Sequence, residues 1–371
     1  MDPPKTSDEW AALVQDAGKR ADALKAHAQE CDVVAASEAK GESALLLARA
    51  FAHPRDACIR FHEASHSYFL NGKKVPISVS GLWGRYFEHF NEAEGTRGIE
   101  RWRADPKSAY FLLLRHMDLA GVPRDQQAGK IRQLWRSSGT HASDAGTALH
   151  RAIELRLNGL QLAVPPYQAP AWRLAKGSRW YNLLSFLAAE EPPAQERALR
   201  TVAASASVGV EEALELLRPV QGAEFEHFLD WREARPNLVP VRCEMNVWSE
   251  ELDLAGQLDA LFWDEMHEHF VLVDWKRVEK LEREAYGGRT GKPPFQKVPD
   301  TSLGHYYVQQ NVYAHLLRLH YGVDCARMFL VQLHPTLDSW KEHEVPDLRQ
   351  EVDHVFKERA AEVAQSRIDT I

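Results

Sequence analysis

The stretch Ala255–Arg277, AGQLDALFWDEMHEHFVLVDWKR, decides how this chain is read. Phe270–Val273 is apolar without alternation, which marks a strand buried on both faces. That strand runs straight into Asp274 and Lys276. Side chains two apart on a strand point to one side, so a carboxylate and an ammonium project together from its end. Asp259 closes the preceding apolar stretch, which reads as the neighbouring strand of a hairpin. Two carboxylates and one ammonium on adjacent strand ends can bind a divalent cation and set a positive charge beside it. Metal-assisted phosphodiester hydrolysis needs that arrangement. A lone Asp-x-Lys also fits a solvated rim, so the rest of the chain has to decide.

Working outward, the strands VPVRCEMNVWS (239–249), LDLAGQLDALFW (252–263) and HFVLVDWKR (269–277) read as a meander. The amphipathic AEFEHFLDWREARP (223–236) precedes them. A Gly-, Pro- and Lys-rich loop at 287–300 leads to a helix at 303–322, a strand at 326–335 and a closing helix at 346–367. Upstream, Asn71-Gly72 between aromatic and β-branched runs marks a hairpin, and Ser78 or Ser80 can cap the helix that follows. SDAGTALHRAIELRLNG reads as a helix with Ser143 or Asp144 as N-cap and Asn158-Gly159 as its stop. Residues 1–55 read as a helical, Ala-rich extension, and 56–371 as one domain with an insertion at about 160–220. The fold expected is α/β, a mixed central sheet flanked by helices.

Of 371 residues, 44% are hydrophobic and 26% charged, ordinary values for a soluble globular protein. No apolar stretch approaches the roughly 20 residues that span a bilayer. The opening MDPPKTSDEW lacks an apolar signal core and carries acidic residues, so a soluble intracellular protein with no membrane partner is expected. Cys31, Cys58, Cys243 and Cys325 are scattered, which indicates neither a zinc knuckle nor a disulfide framework. The net charge of −8 argues against a non-specific nucleic-acid coat protein. Its distribution is uneven, however. Residues 101–136 hold eight Lys/Arg against three Asp/Glu, and 276–297 hold seven against three. Two basic stretches in an acidic chain suit either the walls of a groove that tracks phosphates, with Arg132, Arg136, Arg277 and Lys292 as contacts, or ordinary solvated faces.

Four pieces stand in order: Gly146-Thr147-x-x-His150-x-x-x-Glu154 on a helix, Glu244 on a strand, Gly256-x-x-Asp259 with Asp274-x-Lys276 on strand ends, and Gln309-x-x-x-Tyr313 on a later helix. In this order and on these elements, the chain resembles the RecB-like exonuclease branch of the PD-(D/E)XK nuclease superfamily over about Ile59–Pro335. The resemblance implies a restriction-endonuclease-like core. It implies that His150, Asp259, Asp274 and the carbonyl of Trp275 bind the metal, and that Lys276 orients or deprotonates the attacking water. It further implies that Gln309 and Tyr313 contact the DNA backbone or support Lys276. Glu244 matches a recurrent strand glutamate counted among the catalytic residues. Asp274 stands where many members carry Glu. The cysteine set of relatives that hold an iron–sulfur cluster is absent, so no cluster is expected. Glu154 is placed outside the ligand set, and His305 and His334 are read as structural.

Oxygen ligands suit Mg²⁺ or Mn²⁺, and one imidazole favours tolerance of Mn²⁺. The function this implies is metal-dependent hydrolysis of DNA phosphodiesters, as an exonuclease on single-stranded ends or flaps. A structure-selective endonuclease of the same superfamily is the alternative. A non-catalytic nucleic-acid-binding module is another, and the presence of Asp259, Asp274 and Lys276 together speaks against it.

Overall fold

A computed structural model of the chain describes residues 6–15, 46–88, 91–159 and 168–369. Its central sheet contains β1 (Ile77–Ser78), β2 (Leu238–Ser249), β3 (Leu254–Asp264), β4 (His269–Lys276), β5 (Cys325–Gln332) and β6 (Lys341–Glu344). The helices that bear on the site are α1 (Val79–Gly84), α2 (Arg124–Leu157), α3 (Glu224–Glu233), α4 (Ser302–His320) and α5 (Arg349–Ile368). The order is β6-β5-β4-β3-β1, with β2 also paired to β3. β4 and β5 are parallel, and β2-β3-β4 is the antiparallel meander expected.

β3 organises the sheet. β2 pairs along its whole length, from Leu254 to Asp264. The opposite edge is shared: β1 pairs with Leu254–Ala255, and β4 with Ala260–Asp264. Between them Gly256–Asp259 pairs with neither strand. The sheet is therefore open on that edge at the one place where Asp259 and the end of β4 emerge.

The strands alternate between two cores, as burial on both faces requires. Phe270 and Leu272 of β4 join Val308, Val312 and Leu316 of α4 and Val352 and Val355 of α5. Val271, Val273 and Trp275 join Leu149 and Ile153 of α2 and Phe228 and Trp231 of α3. Asp274 and Lys276 therefore continue the α4 face, and Trp275 stays on the α2 face.

Some expectations are narrowed and others corrected. Ser78 is the cap of α1: its Oγ accepts from the Gly81 amide at 3.1 Å. Neither Ser143 nor Asp144 is a cap, because α2 runs unbroken for 34 residues. Its polar middle is exposed, and the helix is held at both ends instead: Ile131 and Leu134 lie in one core, Leu149 and Ile153 in another. Thr140 Oγ1 donates back to the Arg136 carbonyl at 3.2 Å, a local side-chain bond that the helix accommodates without breaking.

The first of those cores belongs to a helical body. Leu112, Leu113, Trp180, Leu183, Leu199 and Val202 are buried together in it. The boundary of about 160–220 thus catches only part of this body, which also uses residues before the His150 turn; 160–167 lie outside the described residues. The described parts of the 1–55 extension pack into the main core through Trp10, Leu47 and Phe51, and Trp10 Nε1 donates to the Phe51 carbonyl at 2.8 Å. The loop at 287–300 is pinned. The Lys292 amide donates to the Tyr86 carbonyl at 2.7 Å, and Phe295, 1% exposed, stacks on Phe87.

Candidate active site

Four elements bring the site residues together: the second half of α2, the middle of β2, the open stretch of β3, and the end of β4. The Trp275 peptide is their meeting point. β3–β4 pairing stops at Ala260↔Val273, and beyond it the Trp275 amide donates to Asp259 Oδ2 at 2.8 Å. A carboxylate here replaces the missing strand partner. The carbonyl of the same residue lies 3.0 Å from His150 Nε2. His150 Nδ1 lies 3.3 Å from Glu244 Oε1 and 3.7 Å from Asp259 Oδ2. Donor atoms of His150, Glu244 and Asp259 all fall within 4.8 Å of one another.

Two local features make this convergence possible. Glu244 sits at φ +47, in the left-handed region, in the middle of β2. A non-glycine residue there costs about 1–3 kcal/mol, which the surrounding packing has to offset. Its carbonyl accepts from Gln257 Nε2 at 3.0 Å, outside the regular ladder. Gly256 is required by close approach: a Cβ there would lie 2.7 Å from the Tyr313 ring and from Val79. The G-x-x-D spacing thus lets α4 and α1 press on β3 three residues before the carboxylate.

The other face carries the Asp-x-Lys pair. Lys276 Nζ lies 2.6 Å from Asp274 Oδ2. Gln310 Nε2 donates to Asp274 Oδ1 at 2.8 Å, and the Tyr306 ring centre lies 4.3 Å from Lys276 Nζ. Burial, then the charge of Asp259, pushes the Asp274 carboxyl up to about 7. Burial opposes charge on Lys276, but Asp274 and then Asp259 outweigh it and raise its pKa above the ordinary lysine value. Burial likewise opposes charge on His150, and Asp259 and Glu244 overcome it, raising the imidazole to about 9. A doubly protonated ring is also what the geometry asks for, since both its nitrogens face oxygen acceptors.

The donor set fits a divalent cation. His150, Glu244, Asp259 and the Trp275 carbonyl supply one nitrogen and three oxygens, two carboxylate and one carbonyl, in a half-buried corner, and protons occupy lone pairs that a cation can take. Asp274, implied as a ligand by the resemblance, is turned to Lys276 and Gln310 and is not one of the three clustered donors.

Each residue expected to contact DNA has a partner inside the protein. Tyr313 is 4% exposed, packed against Gly256, and hydrogen-bonded by Gln309, so this pair supports β3. Arg277 is buried in an ion pair with Glu224 at 2.7 Å. Arg132 donates to Thr96 Oγ1 at 3.1 Å, and Arg136 grips Glu92 at 2.7 Å. Lys292 Nζ donates to the Arg85 carbonyl at 3.4 Å. Within 101–136, Arg103 is likewise held by Asp118 at 2.5 Å and by Gln127. Glu154 is buried and paired with Arg151 rather than with His150. His305 bonds Asp300 at 2.8 Å, and His334 bonds Thr336 at 2.7 Å. Cys58, Cys243 and Cys325 are free thiols; Cys31 lies outside the described residues.

Sequence reasoning missed Gln310 and Tyr306. Two glutamines stand side by side at 309 and 310, and only the phase of α4 against the sheet tells which one meets Asp274.

A family model described as the PD-(D/E)XK nuclease superfamily matches residues 119–371, which takes in α2, the whole meander, α4 and α5. The chain belongs to the PD-(D/E)XK nuclease superfamily. Its mixed sheet flanked by helices is the fold of that superfamily, whose members are nucleases that use divalent metals. The match begins later than the resemblance at Ile59 and extends past Pro335 to the end of the chain. No curated protein matches the sequence. Among the described residues, no helix is long and apolar enough to cross a membrane.

Proposed function

We propose that this nuclease is a Mg²⁺- or Mn²⁺-dependent deoxyribonuclease of the RecB-like branch, acting as an exonuclease on single-stranded ends or flaps. One observation carries the metal-dependent reading: three donors from three elements converge within 4.8 Å around the Trp275 peptide, next to the Asp274–Lys276 pair. The preference for single-stranded ends rests on the order of motifs, His150 helix, Gly256-x-x-Asp259, Asp274-x-Lys276 and Gln309-x-x-x-Tyr313.

His150, Glu244, Asp259 and the Trp275 carbonyl would hold the cation, to which Asp274 would add Oδ2, the edge that faces Lys276. When bound, a divalent ion acidifies water and offsets charge on the phosphate. The protein's own groups do the rest. Asp259 fixes the Trp275 peptide through its amide, which aims the carbonyl at the His150 side. Lys276, held protonated by its carboxylates, places a positive charge at the strand end where the pentavalent phosphorus gains negative charge. Water's oxygen bonds to phosphorus as the P–O bond to the leaving nucleotide breaks. The water's proton leaves to a basic group at the site or to solvent, and the departing nucleotide oxygen takes a proton from solvent.

End-labelled linear and covalently closed single-stranded DNA, incubated with Mg²⁺, Mn²⁺ or EDTA, tests this. Progressive shortening of the linear strand, a resistant circle and silence in EDTA are expected. A cut circle favours the endonuclease reading, and binding without cleavage in any metal favours a non-catalytic module.

A further inference from the structure

Helix α4 aims a second pair of residues at the end of β4, outside the Gln309-x-x-x-Tyr313 pattern. Gln310 is 0% exposed and donates through Nε2 to Asp274 Oδ1 at 2.8 Å. Tyr306, one helical turn earlier, sets its ring face 4.3 Å from Lys276 Nζ. The geometry assigns both as positioning residues for the reaction proposed above, on which this inference rests: Gln310 fixes the rotation of the Asp274 carboxylate, and the Tyr306 ring fixes the Lys276 ammonium.

Asp274 has two oxygens and two holders. Gln310 takes Oδ1, and Lys276 takes Oδ2 at 2.6 Å. A carboxylate turns readily about its last bond, and an amide donor on one edge stops that rotation and leaves the other edge presented. Lysine is a point charge on a flexible four-carbon stem, with none of the planar fork that orients an arginine. An aromatic face supplies direction without a competing acceptor, because the attraction comes from the ring. The 306/310 spacing puts both holders on one face of α4, so one rigid helix sets the two groups relative to each other.

The chemical cost of Gln310 supports a functional reason for it. The apolar residues Val308, Val312 and Leu316 fill the core under the same helix. Gln310 stands on that helix fully buried, and its amide oxygen has no hydrogen-bond partner among the described residues. Buried polar atoms are nearly always satisfied, and the exceptions call for an explanation. A core position built for stability alone would carry an apolar side chain, as those three do.

The test uses the full chain as Tyr306→Phe, Tyr306→Leu and Gln310→Met, with kcat and KM on end-labelled single-stranded DNA and Mn²⁺ affinity read from the free-ion paramagnetic signal. Tyr306→Phe keeps the ring face and stays within about threefold of wild-type kcat, whereas Tyr306→Leu drops kcat about tenfold or more with KM and Mn²⁺ affinity little changed. Gln310→Met weakens Mn²⁺ affinity by about 10–100-fold. Equal kcat for Tyr306→Phe and Tyr306→Leu, or unchanged Mn²⁺ affinity in Gln310→Met, overturns the inference; so does activity that simply tracks the melting temperature across the three. If the wild type cleaves nothing with any metal, the proposed function fails, and the Mn²⁺ isotherm of Gln310→Met alone decides this inference.

Discussion

The strand-end site and the helical body use their charged residues in opposite ways. At the site, His150, Glu244, Asp259, Asp274 and Lys276 come from distant points of the chain and are left facing one another in a half-buried corner. In the helical body and the segment beside it, Arg103, Arg115, Arg132 and Arg136 are each taken up by a partner that is not part of any such cluster: Asp118, Ser205, Thr96 and Glu92. The lesson is about burial. Uncompensated charge inside a fold is destabilising, so where it is retained without full pairing, a ligand or a reaction is the reason. A surplus of basic residues along a surface sequence carries no such implication, because carboxylates from elsewhere reach it.

That contrast can be broken by mutation, and the largest effect is expected at the pair on β4. Asp274→Ala or Lys276→Ala should lower cleavage at least about 100-fold while the chain still folds and binds DNA. Retained turnover in both variants would remove the hydrolytic assignment, and loss of the folded state would make the pair structural. Next, His150→Ala should weaken metal binding by about 10–100-fold, so that raised Mn²⁺ partly restores the rate. In the helical body the same class of change should act on stability alone. Leu113→Ala, at a position with 0% exposure, should lower stability by about 2–5 kcal/mol with kcat per folded molecule unchanged. A fall in kcat there would mean that the two regions are coupled through α2.

Legibility follows the same division. β2–β5, α3, α4 and α5 could be read because their apolar patterns are regular and because Asp274 and Lys276 interrupt a buried run without a packing reason. His150, Glu244 and Asp259 were found as residue types in order, and the structure brings them together. Glu244's role depends on a left-handed backbone that no local sequence pattern announces. The helical body escaped because helix amphipathicity names a buried face but not its partner. Leu112 and Leu199 share one core although they lie far apart in the chain, and α2 serves two cores with one continuous helix. The choice of Gln310 over Gln309 needed the rotation of α4, which the Tyr313–Gly256 contact sets.

Titration sharpens the contrast further. Asp274 rises from 3.8 to about 7 and His150 from 6.5 to about 9 on folding. Both groups bind protons more tightly folded than unfolded, so the metal-free protein loses stability as pH rises, over about 4–7 for Asp274 and 6.5–9 for His150. Mn²⁺ should therefore raise the melting temperature more at pH 8 than at pH 6, and Asp274→Asn should flatten the metal-free profile below pH 7. A metal-induced shift independent of pH would separate the cation from these groups. The smallest effects belong to exposed cations. Arg136→Ala should leave the salt dependence of DNA affinity superimposable on wild type, since Glu92 already neutralises Arg136. Lys292→Ala should flatten that dependence by about one unit of slope if the ammonium leaves the Arg85 carbonyl for a phosphate.

The central claim is that a divalent cation sits where His150, Glu244, Asp259 and the Trp275 carbonyl converge. Anomalous scattering from a Mn²⁺-soaked crystal measures this directly. The expected result is one strong peak about 2.0–2.3 Å from the His150 imidazole and the Asp259 carboxylate, with the imidazole released from the Trp275 carbonyl. A peak outside that corner, with His150 still bonded to Trp275 and Glu244, would contradict it.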